Sequence, residues 1–153
     1  MSVTQRYIAA ILASYAAGLI GSLFVSADFD VWYEALAKPA LMPPASVFPI
    51  VWLFLYASMG LAFGMLWSKT ELWHPWIGCF FVSLLFNAAW TAFFFGFHTI
   101  FIALVDAVCL FIIIVALQLG ALEIDRRVAY LLLPYLLWMA FAVYLNAGIW
   151  LLS

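Results

Sequence analysis

"KPALMPPASVFPIVWLFLYASMGLAFGMLW", Lys38 to Trp67, decides how this chain is read. Pro39, Pro43, Pro44 and Pro49, four of the six prolines, lie in its first half. Proline removes a backbone donor and breaks a helix interior. From Ser46 to Trp67 the same stretch is apolar and carries no charge, and a bilayer-spanning helix needs about 20 such residues. Ser46 is a plausible N-cap, which would put Pro49 at the third helical position, where its missing N–H has no intrahelical partner anyway. The prolines therefore stiffen the approach to a membrane helix without breaking it.

The rest of the chain agrees. Of 153 residues, 71% are hydrophobic and 8% charged, and the mean hydropathy is +1.23. A soluble domain is about half apolar and a quarter charged, and a small core cannot hide so much apolar surface. Further apolar runs cover Tyr7–Val25, Pro75–Phe95, Thr99–Leu119 and Val128–Leu152. Backbone groups in lipid must bond internally, and the alternating strands of a membrane barrel are absent. The expected fold is all-α: one domain over 1–153, an integral bundle of five transmembrane helices. No basic stripe suggests nucleic acid. Arg6 and the "VSA" after the first run resemble a cleaved leader, but a leader's apolar core is only about 7–15 residues. Ala13, Ala17 and Gly21 also repeat at helix-packing spacing, so a retained helix is expected. Cys79 and Cys109 fall inside spans without a metal or redox motif and read as small hydrophobes.

Five spans put the termini on opposite sides. Arg6, Lys69, Arg126 and Arg127 share the N-terminal side, and Lys38 stands alone on the other. Basic residues favour the cytoplasm, which gives a multi-pass protein of a bacterial inner membrane with a cytoplasmic N-terminus.

The connection Ser26–Ala45 is the longest, and "FDVWYEALAKP" within it is aromatic enough to form a short amphipathic helix. It is expected to cover one end of the bundle. Trp32, Trp67, Trp73, Trp76 and Trp150 lie near span ends, as an interfacial aromatic belt would have them. Trp52, Trp90 and Trp138 lie deeper, with Asn87, Asp106 and Asn146. At 1.5 Å rise per residue, Trp52, Asn87, Trp90, Asp106 and Asn146 all sit about 9–14 Å from the Lys38 side, and Trp138 deeper. Asn87 and Trp90 share a helical face, as do Trp52 and Tyr56, and as do Tyr135, Trp138, Ala142 and Asn146. An aromatic, weakly polar pocket beneath the 26–45 segment is expected, with Lys38 at its mouth. Such side chains also serve simply as interhelical struts. Asp106 is a costly intramembrane acid with a structural or functional role. His74 and His98 fall at opposite membrane faces, so no metal site is expected.

The runs "WYEALAKPALMPPASVFPIVWLFLYASMG", "FNAAWTAFFFG", "ALVD" and "LPYLLWMAFAVYLN", in this order, cover about four fifths of the chain. Together they resemble the translocator protein / tryptophan-rich sensory protein family, formerly the peripheral benzodiazepine receptor. The resemblance implies a five-helix membrane bundle, often a homodimer. It also implies a pocket for porphyrins, sterols and benzodiazepine-site ligands under the loop between helices one and two. Carried over by motif, the ligand-binding positions are Tyr33, Trp52, Asn87 and Trp138, with Ala142 and Asn146 following on the face of Trp138. Trp90 and Tyr135 join them by spacing. Animal members carry an aliphatic residue, a Tyr and then a Lys or Arg near the end. "VYLNAGIWLLS" has Tyr144 without that basic residue, which favours a bacterial, porphyrin-type member.

Three functions follow as expectations. The first is a sensor or carrier for porphyrins, protoporphyrin IX or haem as ligand rather than required cofactor. The second is a light- and oxygen-dependent protoporphyrin-degrading enzyme, with Trp52 and Trp138 as redox residues and no conventional catalytic constellation. The third is sterol or lipid transport, or a structural interaction module built on contacts such as Gly60 and Gly64.

Overall fold

The computed structural model describes residues 1–71 and 74–153. Trp73, one of the expected belt tryptophans, lies outside the described residues. The elements are α1 (Val3–Ser22), α2 (Phe29–Ala35), α3 (Val47–Lys69), α4 (Pro75–Thr91) with a π-helical turn at Ala92–Gly96, α5 (Ile100–Ile124) and α6 (Arg126–Leu152). Five helices, of 20 to 27 residues with the π turn counted in the third, are long and apolar enough to cross a membrane. No strand occurs among the described residues. The protein is an all-α, multi-pass membrane bundle.

Helix ends follow local chemistry. The first span begins at Val3 rather than Tyr7 because "SVTQ" is a capping box. The Ser2 hydroxyl accepts the Gln5 N–H at 3.2 Å, and the Gln5 side chain accepts the Ser2 N–H at 2.8 Å. Ser46 does occupy the N-cap of α3, but its side chain makes no capping bond. The turn closes instead through Val47 and Phe48 N–H donating to Pro44 and Ala45 carbonyls. The fourth span runs on to Ile124, past Leu119, and ends where Asp125 caps α6 by accepting the Arg127 N–H at 2.8 Å.

Packing closes a ring in the order α1, α3, α6, α5, α4 and back to α1. On α1 the buried face is Ala10, Ser14, Ala17 and Gly21. Gly60 and Gly64 of α3 face it so closely that a Cβ on Gly60 would lie 2.6 Å from the Ile11 Cα, and one on Gly64 2.7 Å from the Tyr7 ring. That pair is consumed inside the bundle. At the same end the Arg6 guanidinium donates to the Trp67 carbonyl at 2.7 Å, capping α3, and Lys69 meets Asp125 at 2.8 Å. Bonds from Arg127 first, then from Lys69, hold the Asp125 carboxyl well below the usual carboxylate range. Two expected belt residues pack inward here: Trp67 stacks on Phe63 at 5.7 Å, and the Trp76 ring lies over Gly120.

Candidate functional site

Asn87, Tyr135, Trp90 and Asn146, four of the expected site residues, are brought together in two bonded pairs. Asn87 Nδ2 donates to the Tyr135 hydroxyl. Trp90 Nε1 donates to Asn146 Oδ1 at 3.0 Å, and Asn146 Nδ2 donates to the Ile100 carbonyl at 3.1 Å. These two rungs join α4 to α6 across the ring interior, since the two helices are not neighbours in it. Asn87 and Asn146 are 4% and 2% exposed, so unsatisfied amides there would be costly. Asp106 is buried too, and its Oδ2 has no hydrogen-bond partner among the described residues.

On the α1–α3 side of the rungs lies a cavity of about 520 Å³. Trp52, Phe48, Pro49 and Tyr56 wall it from α3, and Trp90, Thr91 and Phe95 from α4 and its π turn. Gly18, Leu19 and Ser22 of α1, with Tyr15, form the opposite wall, and Phe29 and Tyr33 of α2 lie over it. The volume falls within the range of about 300–1,000 Å³ usual for small-molecule sites. Trp52 stacks on Tyr56 with centroids 5.2 Å apart and meets Tyr135 edge-on at 6.4 Å. The Trp52 indole N–H and the Tyr56 hydroxyl make no hydrogen bond among the described residues, so both remain free donors at the wall.

A second, smaller recess is lined by Ala142, Asn146, Leu145 and Met42, and shares Tyr33, Phe48, Trp90 and Phe95 with the first. Trp138 lines neither cavity. Its ring meets Phe48 edge-on at 5.9 Å and so stands behind the wall. Tyr135 and Asn87 are likewise behind it, through Trp52 and their mutual bond.

Residues 26–45 dock at two places. Ser26 N–H donates to the Phe95 carbonyl at 3.1 Å, and Ser26 Oγ lies 2.9 Å from His98 Nε2. The Trp32 and His98 rings are parallel at 4.0 Å. His98 adopts φ 55°, a left-handed geometry uncommon outside glycine, and its ring is fixed by Ser26 and Trp32. At the other side Pro39 sits on Gly148, where a Cβ would come within 2.8 Å of the proline ring. Lys38 Nζ lies 4.8 Å from the Tyr33 ring centroid and 3.8 Å from a Glu34 carboxylate oxygen. Burial, and secondly Glu34, push the Tyr33 phenol up, so it stays a neutral donor; it donates to Met42 Sδ at 3.5 Å.

The sequence profile of the TspO/MBR family matches residues 10–151. The chain belongs to the TspO/MBR family. It is 38% identical over 135 residues to a tryptophan-rich protein TspO of Chlorobaculum tepidum, covering 86% of this chain and 85% of that one. A tryptophan-rich protein TspO of Archaeoglobus fulgidus is 33% identical over 150 residues, covering 97% of each. The translocator protein of Homo sapiens is 34% identical over 135 residues, covering 86% of this chain and 80% of that one.

Several cavity residues were not singled out from sequence. Phe48, Phe95 and Thr91 look like ordinary span residues, and Gly18 and Leu19 like lipid-facing ones.

Proposed function

We propose that this TspO/MBR member is a membrane receptor and carrier for flat hydrophobic ligands of the porphyrin type, protoporphyrin IX or haem. The ligand lies in the cavity between α1, α3 and α4 beneath residues 26–45. The observation that carries this reading is the 520 Å³ cavity itself, walled by Trp52, Tyr56, Trp90, Phe48 and Phe95. Aromatic faces favour a flat π-system, and the free Trp52 and Tyr56 donors suit an acceptor on it. Lys38 at the mouth, by releasing Glu34, meets a propionate as a point charge. Trp138 contributes through Phe48, and Asn87, Tyr135, Trp90, Ala142 and Asn146 hold the wall's shape. Titration of tryptophan fluorescence with protoporphyrin IX tests this. Saturable quenching that weakens in Trp52→Ala is expected, and its absence in the wild type would remove the reading.

Light-dependent porphyrin degradation is the second reading, favoured by the contact of Trp52 with Tyr56 and Tyr135. Loss of porphyrin absorbance over many turnovers under light and oxygen supports it; loss stopping at one equivalent opposes it. We further propose a bacterial inner membrane location with a cytoplasmic N-terminus, resting on Arg6, Lys69, Arg126 and Arg127 against Lys38. A cysteine at Lys38 should react with an impermeant thiol reagent from the periplasm. A homodimer is also proposed. Gly78 faces outward on α4 with open space beyond it, and cross-linking in native membranes should give a dimer band.

A further inference from the structure

The cavity has two borders, and they differ. Toward water it is roofed by α2 and the proline segment, fixed to Phe95 and His98 on one side and to Gly148 on the other. Toward lipid, between α1 and α3, the border is thin. Leu19 of α1 and Leu53 of α3 both line the cavity, and with 68% and 56% of their surface accessible they are far from buried in the bundle. A residue that lines a cavity and faces lipid is part of a wall one side chain thick. These two lie about 5 Å and 9 Å below the helix ends on the roofed side, within the upper acyl region.

The contact between α1 and α3 changes along its length. At Gly60 the facing atom is the Ile11 backbone, but at Gly18 it is the Tyr56 ring, 2.5 Å from where a Cβ would stand. The helices are thus joined backbone to backbone at the Arg6 end and only through side chains at the cavity. A hydrogen bond bridges the thin border, from the Tyr15 hydroxyl to the Leu53 carbonyl at 2.9 Å. Among the described residues, none lining the cavity is acidic, basic or a histidine, so an apolar macrocycle meets no ionic barrier there.

We propose that ligands enter and leave sideways, from the bilayer, through a portal between α1 and α3 latched by Tyr15 on Leu53. The guest is a flat hydrophobic molecule of the porphyrin type already dissolved in the acyl region, its macrocycle passing the portal and any propionate staying toward the Lys38 side. The roof then excludes water and does not open for entry. This rests on the ligand-binding reading of the same cavity and adds the route.

The test uses full-length protein in phosphatidylcholine vesicles containing protoporphyrin IX dimethyl ester, with tryptophan quenching followed after a temperature jump. Leu19→Phe with Leu53→Phe thickens the border and should slow relaxation about tenfold or more at matched fractional saturation. Tyr15→Phe removes one hydrogen bond and should speed relaxation about fivefold. Pro39→Cys with Gly148→Cys, in a Cys79→Ala, Cys109→Ala background, staples the roof. Oxidised, it should relax within about twofold of its own reduced form. A roof staple that blocks exchange, or a Tyr15→Phe protein with wild-type rates, overturns the lateral route while leaving binding intact. Wild-type protein that shows no quenching fails at the earlier step, the cavity as a ligand site.

Discussion

The two ends of this bundle are built from the same helices on opposite plans. At the Arg6 end, α1 and α3 touch backbone to backbone at Gly60, and Arg6, Lys69 and Asp125 tie three helix termini together. At the roofed end, side chains replace backbone contacts, and the space is left open, walled by aromatic rings. The difference teaches how a small membrane protein keeps a cavity without collapsing. One half supplies rigidity, and the α4–α6 rungs brace the half that contains the cavity.

Breaking the rigid half should have the largest effect. Gly60→Leu drives a side chain into the Ile11 backbone, which cannot swing aside. We expect a loss of about 3 kcal/mol or more, the upper range for overpacking, read by unfolding in detergent. Gly18→Ala meets only the movable Tyr56 ring. It should cost less than about 1 kcal/mol but reduce ligand affinity. If Gly18→Ala is the more destabilising of the two, the contrast between the ends is wrong.

The rungs come next. Tyr135→Phe leaves the buried Asn87 amide without its acceptor, and should cost about 1–3 kcal/mol of stability. Asn87→Leu in the same background should restore part of it, because no unpaired amide then remains. A smaller, directional effect is expected from pH. Asp125 titrates lower in the fold than in the unfolded chain, so its contribution is present above about pH 4 and lost as pH falls below that. Asp125→Asn should flatten this acid limb of the melting-temperature profile, and leave ligand affinity at neutral pH unchanged because the clasp is remote from the cavity.

Much of this architecture was legible beforehand, and for definite reasons. Lipid demands about 20 apolar residues per helix, so the five spans stood out. The stripe Tyr135–Asn146 and the pair Asn87–Trp90 fixed which faces meet, because helical spacing is rigid. Which atoms bond was not legible: Asn87 Nδ2 donates to the Tyr135 hydroxyl, and Asn146 pairs with Trp90 and the Ile100 carbonyl. Trp138 shares depth and motif with the site, yet Phe48 shields it, because depth along a helix says nothing about which neighbour intervenes. The π turn at Ala92–Gly96 escaped because it depends on docking of Ser26 against Phe95 and of Gly96 beneath Phe24, contacts distant in sequence.

The most direct test of the central claim compares Trp52→Ala with Trp138→Ala in one protoporphyrin IX titration in vesicles, with helicity checked in each. Trp52 forms the cavity wall, so its loss removes an aromatic contact of about 0.5–1.5 kcal/mol plus buried ring area, and affinity should fall about tenfold or more. Trp138 lines neither cavity and touches the wall at Phe48, so affinity should fall by about threefold or less. Unchanged affinity in folded Trp52→Ala, or a larger loss in Trp138→Ala, would contradict a ligand site on the α1–α3 side of the rungs.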